Sequence, residues 1–289
     1  MTTTVTLTGT GVPHPSPGRA GAGTLVRHGE VALQFDAGRA TVLRLSEAGV
    51  PANRLSALFV THIHSDHVVD LPDVAMTAWV LQQVEATGPL VVVAPDGVAA
   101  RFVGRMLEPF DDDIATRMAH VQPDPPQVDL RTFEVPATPT EVWRSGDGAV
   151  RVSAIAVHHE PVPDAVAYRV DTPDGAVVVS GDTRVCDEVA ALAVGADVLV
   201  HEACRTTALR DLIAGTRFET IFGYHADTVP LGAMAERTGV PHVVLTHLIP
   251  PPSRPGDDEA FARDLRDGGY TGRITVGTDL CSVRVGDGA

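Results

Sequence analysis

Residues 61 to 67 read THIHSDH, three histidines and an aspartate within seven positions. Imidazole nitrogen and carboxylate oxygen are the donors that suit zinc, manganese or iron. His62 and His64 lie two apart at the end of an apolar run and can point the same way. Asp66 and His67 turn back over a helix expected to begin at about Asp66. A lone histidine is more often an ordinary polar side chain than a ligand, but H-x-H-x-D-H directly after a buried strand is a far denser signal. Four donors from one loop cannot close around one ion without strain, and they leave room for two.

A second ion needs donors from further along, and three sites at strand ends offer them. In VHHEPVPDAVAYR, His158 and His159 compete, because neighbouring residues of a strand face opposite ways. In VVVSGDT, Asp182 follows an apolar strand and a glycine turn; in VVLTHLIP, His247 ends another apolar run. Two divalent ions roughly 3.5–4 Å apart can share a water, lower its pKa toward neutrality and clamp an oxyanion. A hydroxide shared between them would be the nucleophile, and Asp66 could orient it or take its proton. The chain has no G-x-S-x-G elbow and no Cys/His nucleophile signature, which fits a reaction without a covalent intermediate.

Short β-like runs alternate with helical ones, and they must carry these residues. TTVTLTG and TLVRHGEVALQFDAG read as strands, the latter a hairpin with Gly29 and Glu30 at its tip. ATVLRLSEAG predicts a helix ending on Gly49, LSALFVTH a buried strand, and residues 67–86 one helix with Pro72 in its first turn. LVVVAP predicts a strand and GVAARFVGRMLEPF a helix; PDPPQ, at 123–127, reads as a surface connection. In the second half VRVSAIAVHH, AVAYRVDT, AVVVSGDT, ADVLVHEA, HVVLTHLIP and RITVGTD are expected strands. TVPLGAMAERTG and DDEAFARDLRDGG are expected helices, and residues 173–175 a turn. Two β-rich halves with interspersed helices imply an α/β protein of αββα layering, one domain over residues 1–289.

Bulk composition narrows the functions. Hydrophobic residues make up 44% of the 289 and charged ones 20%, as in a globular protein with a sizeable core. No apolar run approaches the roughly 20 residues that span a bilayer, and the N-terminus lacks a secretory signal's basic and apolar regions. Three widely spaced cysteines, Cys186, Cys204 and Cys281, fit a reducing cytoplasmic compartment and argue against a disulfide framework. Net charge is −15 and lysine is absent, which disfavours a long polyanionic partner held by a basic face.

GTGVPHPSPGR, THIHSDH, HEPVPDAVAYR, SGDT, HEA, YH and THLIP occur in that order. The set resembles the metallo-β-lactamase fold hydrolases, in particular their ribonuclease Z-like branch, over nearly the whole chain. The resemblance implies a four-layer αββα sandwich and two Zn2+, for which manganese or iron could substitute. It would place His62, His64 and His159 on one metal, and Asp66, His67 and His247 on the other, with Asp182 bridging. The spacing of the third box to Pro161, Val162 and Tyr168 selects His159 over His158. Glu202 and His225 match positions implicated in proton transfer and phosphate contact, with Cys204 where a threonine is usual. Asp66, His225 and Glu202 are therefore the expected catalytic residues, although Glu202 fits a partner that fixes a ligating histidine equally well. Asp36, in FDAG, would support the metal loop. Backbone N–H groups at the helix start near Thr228 could steady a phosphate.

Substrate is less determined, since the chemistry is shared across the superfamily. Ribonuclease Z enzymes usually carry a protruding basic arm between the third histidine ligand and the bridging aspartate; here residues 160–181 are filled by strands. The leading expectation is a zinc phosphodiesterase acting on RNA 3′ ends or small diesters. Alternatives are an arylsulfatase- or lactonase-like ester hydrolase on the same metals, and a binding module without catalysis. The resemblance also implies a homodimer, to which the helix at 67–86 could contribute a face.

Overall fold

A computed structural model describes residues 2–121 and 123–286. The first half runs β1 (Thr3–Gly9), β2 (Gly23–His28), β3 (Val31–Phe35), α1 (Thr41–Glu47), β4 (Ala57–Phe59), α2 (Ser65–Val68), α3 (Leu71–Leu81), β5 (Leu90–Pro95), α4 (Val98–Val103), α5 (Asp111–Met118) and β6 (Val128–Phe133). The second half continues with β7 (Thr140–Arg144), β8 (Arg151–Ala156), β9 (Val166–Thr172), β10 (Gly175–Val179), α6 (Asp187–Ala193), β11 (Val198–Cys204), α7 (Thr206–Ile213) and α8 (Arg217–Phe222). It closes with α9 (Thr228–Thr238), β12 (His242–Ile249), α10 (Asp257–Asp267), β13 (Arg273–Val276) and β14 (Ser282–Arg284).

Two seven-stranded mixed sheets result, in the orders β14-β1-β2-β3-β4-β5-β6 and β13-β12-β11-β10-β9-β8-β7. Strand periodicity explains why they stack. Along β9, Val166, Tyr168 and Val170 enter the core between the sheets, while Ala167 faces the outer helices. Likewise Val198 and Val200 of β11 point inward and Leu199 and Ala203 outward. Both faces of β11 are buried along its length, and it opens on a continuous apolar run, Val198, Leu199 and Val200. Outside, α6, α9 and α10 cover one sheet through Val189, Leu231 and Phe261. On the other, α1, α3 and α4 pack Leu45, Val74 and Val103. The expected αββα sandwich is the fold observed.

The structure departs from the sequence reading in several places. The helix expected over 67–86 is two: Asp70 donates its N–H to the Ala37 carbonyl at 2.9 Å and accepts from Val42 N at 2.9 Å, and the break follows. The helix expected over 97–110 ends at Val103. Unanticipated are α5, α6, α7, α8, β6, β7 and β14. β6 and β7 are the outer strands of their sheets, with few buried positions to mark them. Residues 160–181 hold β9, β10 and no protruding arm. Among the described residues no helix is long and apolar enough to cross a membrane.

This topology places the chemistry. β3 and β4 run parallel, as do β10, β11 and β12. Their carboxyl ends deliver Asp36, the 61–67 loop, Asp182, Glu202 and His247 to one region, where ligands of such sheets generally bind.

Candidate metal centre

The loop after β4 is held from below by one carboxylate. Asp36 accepts from Thr61 N and Thr61 Oγ1, both at 2.7 Å, and its Oδ2 lies 2.7 Å from His67 Nδ1. Because the Thr61 hydroxyl proton goes to Asp36, its oxygen is left to accept from His62 Nδ1, 3.0 Å away. Each of these rings therefore carries its proton on Nδ1 and turns the Nε2 lone pair inward. His159 is set the same way, with Nδ1 3.1 Å from the Tyr224 carbonyl. Close approach is needed too: Gly181, at φ +59°, lies where a Cβ would fall 2.8 Å from Thr61 Cβ.

Inside this frame two groups converge. His64 Nδ1 is 3.1 Å from both His62 Nε2 and His159 Nε2. Asp182 Oδ2 stands 3.9 Å from His62 Nε2 and 3.8 Å from His159 Nε2. On the other side, His247 Nε2 is 3.2 Å from Asp66 Oδ2 and 3.4 Å from Asp182 Oδ2, while His67 Nε2 is 3.2 Å from Asp182 Oδ1. Asp182 thus touches both groups. His62, His64, His159 and Asp182 form one set able to hold a cation, and Asp66, His67 and His247 another. His247 and Asp36 adopt left-handed backbone, φ +44° and +59°, which costs a non-glycine residue energy and accumulates at functional sites.

Electrostatics fit a cation in this cluster. Burial drives the His62 and His64 pKa values down, keeping both rings neutral. Burial would raise Asp182, but His247 and His67 outweigh it and hold the carboxylate ionised, well below the usual range. Asp66 behaves alike, its burial overcome by His67 and His247. Burial opposes a charge on His67, yet Asp182, Asp36 and Asp66 raise its pKa well above normal, so the same carboxylates that favour a proton on Nε2 favour a cation in its place. His67 Nε2 and Asp182 Oδ1 are buried without a well-directed hydrogen bond. Lone pairs gathered this closely are costly unless a cation shares them.

The remaining sequence candidates divide. Glu202, fully buried in β11, accepts from Thr183 N at 2.8 Å and lies 2.9 Å from His225 Nδ1 through the same Oε1. Burial lowers His225, but Glu202 and then Asp182 prevail and push it up to about 9. His158 turns away, its Nε2 3.2 Å from Glu188. His201 is buried and bonds its own strand at the Glu202 carbonyl. Thr228 is buried with its hydroxyl on Asp264, 2.8 Å away, and opens α9, the helix start whose backbone N–H groups are the expected phosphate contact. Sequence reasoning missed the anchoring roles of Thr61, Thr183 and Tyr224. All three stand inside the quoted motifs THIHSDH, SGDT and YH, but Tyr224 acts through its backbone and leaves no side-chain signal.

The fold and the cluster at its strand ends define a class. The chain belongs to the beta-lactamase superfamily, whose domain model matches residues 34–248. Within it the chain is ribonuclease Z-like and a metal-dependent hydrolase. It is 38% identical to a ribonuclease Z of Mycobacterium bovis over 97% of this chain and 98% of that protein. It is 40% identical to a ribonuclease Z of a Mycobacterium species (strain KMS), covering 93% and 92%. Among solved structures, Bacillus subtilis YhfI, a metallo-beta-lactamase fold protein, superposes with a TM-score of 0.72 at 19% identity, covering 98% of this chain and 100% of that one. The short form of human tRNase Z gives 0.70 at 21%, covering 98% and 99%. These two likenesses establish the fold.

Proposed function

We propose that the chain is a dinuclear zinc phosphodiesterase of ribonuclease Z type, acting from one domain on RNA 3′ ends or small diesters. Asp182 carries this reading: its carboxylate lies 3.2 Å from His67 and within 3.9 Å of His62, so one side chain borders both donor sets. His62, His64 and His159 would hold one ion, Asp66, His67 and His247 the other, with Asp182 between them. Such a pair, when bound, supplies an activated water and neutralises charge on a phosphoryl oxygen.

The chain's own groups do the rest. Asp66 keeps its second oxygen for orienting the attacking water or taking its proton. His225, held protonated by Glu202, is placed to give the Nε2 proton to the leaving oxygen. The Glu202 carboxylate fixes the ring and stabilises its charge without touching substrate. The ribonuclease Z relatives, matched end to end, support RNA as substrate. The absent arm and net charge of −15 mean that RNA would be held close to the metal cluster rather than by a distant basic surface. Cytoplasmic location and a homodimer belong to the same reading; for the dimer, sedimentation is the direct check.

The deciding experiment is a substrate panel run beside elemental analysis. Bis-p-nitrophenyl phosphate should be hydrolysed well above p-nitrophenyl sulfate and simple lactones, and a tRNA precursor cut at its 3′ end unless a chelator is present. The reverse ranking, without precursor cleavage, would transfer the protein to sulfate or lactone chemistry.

A further inference from the structure

We propose that a buried water molecule joins Glu202 to His247, which makes Glu202 the positioning residue for two histidines at once. The inference rests on the reading of His247 as a ligand.

Of the four rings that turn Nε2 toward the cluster, three have Nδ1 anchored: His62 by Thr61, His67 by Asp36 and His159 by the Tyr224 carbonyl. His247 is the fourth. Its Nε2 faces Asp66 and Asp182, while Nδ1 is buried and has no hydrogen-bonding partner among the described residues. A ligating histidine almost always gives its other N–H to an acceptor, which fixes the tautomer and makes the ring a better donor. Glu202 shows the complementary defect. Oε1 serves Thr183 and His225, and Oε2 is buried without a partner in a residue 1% exposed. A carboxylate oxygen left so is costly.

Both residues line one small void of about 20 Å³ beneath the cluster, whose wall also includes Val179, Ser180, Val200, Thr246, His67 and Asp182. One water requires roughly 10–15 Å³ by this kind of measure and two to four polar partners. The void is too small for a larger ligand and apolar only on part of its wall. A water there accepts the His247 Nδ1–H and donates to Glu202 Oε2, with Thr24 and Thr246 on the same lining. The charge of Glu202 then reaches His247 through that water as it reaches His225 directly.

The test begins with a crystal of the zinc-loaded protein at a resolution that shows ordered solvent. Density is expected within hydrogen-bond distance of both atoms; a dry void, or a direct protein partner on His247 Nδ1, overturns the proposal. Val200→Ile then adds a methylene to the wall and leaves both polar groups intact. Displacing the water should weaken one of the two zincs about tenfold in chelator competition and spare the other. Unchanged affinity with the water gone sinks the positioning role, as does equal weakening of both ions. Should Val200→Ile not fold, the wild-type density decides alone. Wild-type protein that binds no zinc would instead remove the ligand assignment itself, a separate failure.

Discussion

Asp36 Oδ2 lies 2.7 Å from His67 Nδ1, and the same carboxylate receives both the N–H and the hydroxyl of Thr61. One side chain outside the donor sets therefore fixes one ring directly and His62 through Thr61. Asp36→Asn keeps the shape but leaves one acceptor oxygen for three donors, the Thr61 N–H, the Thr61 hydroxyl and the His67 N–H, and loses the charge. Metal affinity should fall about 10- to 100-fold, read by chelator competition; undiminished affinity would show that Asp36 is dispensable to the cluster.

Asp182→Ala should lose metal and activity together, because both donor groups share that carboxylate. His225→Ala should keep its metal and lose roughly 10²- to 10⁴-fold in kcat, the usual worth of a general acid. Elemental analysis alongside steady-state kinetics separates the two. Full turnover in the His225 variant would remove it from the mechanism.

Beneath the cluster, Tyr168 donates to the Val60 carbonyl at 2.7 Å, and its ring packs 5.5 Å from Phe35 and 5.4 Å from Phe59. Tyr168→Phe preserves the packing and strands that carbonyl in the core. A loss of about 1–3 kcal/mol is expected, measured as a shift in the urea midpoint with unchanged slope. A neutral result would mean that Val60 finds another donor.

His242, at the start of β12, bonds Thr275 at 2.8 Å; burial, with Arg273 adding to it, lowers its pKa to about 4. An unfolded histidine titrates near 6.5, so the unfolded chain binds the extra proton first. The stability linked to this group is whole above pH 6.5 and declines as pH falls from there toward 4. His242→Gln should flatten that part of the stability–pH curve. An identical acid profile in the variant would assign the decline to other groups.

How much of this the sequence revealed depends on burial. β4, β10, β11 and β12 were legible because both their faces are packed and their apolar runs end on His62, Asp182, Glu202 and His247. β6 and β7 were not, being half-exposed strands at sheet edges. Nor were α7 and α8, short helices that bury only Ile213 and Phe222, in a small cluster with Cys204 apart from the main core. Side-chain donors could be found by motif; the supports from Thr61 and Tyr224 needed the folded geometry, because a carbonyl or a hydroxyl one position away carries no pattern of its own.

The donors are drawn from both sheets: His62, His64, Asp66 and His67 follow β4, whereas His159, Asp182 and His247 come from the strands of the other layer. Any cation caught between them rivets the two halves of the sandwich. Stripping it should remove about 2.7 kcal/mol of stability for each ion present at a hundred times its Kd, lower the melting temperature and silence the enzyme. Restoring the ion should return both together, so that thermal stability becomes a gauge of occupancy before any substrate is added.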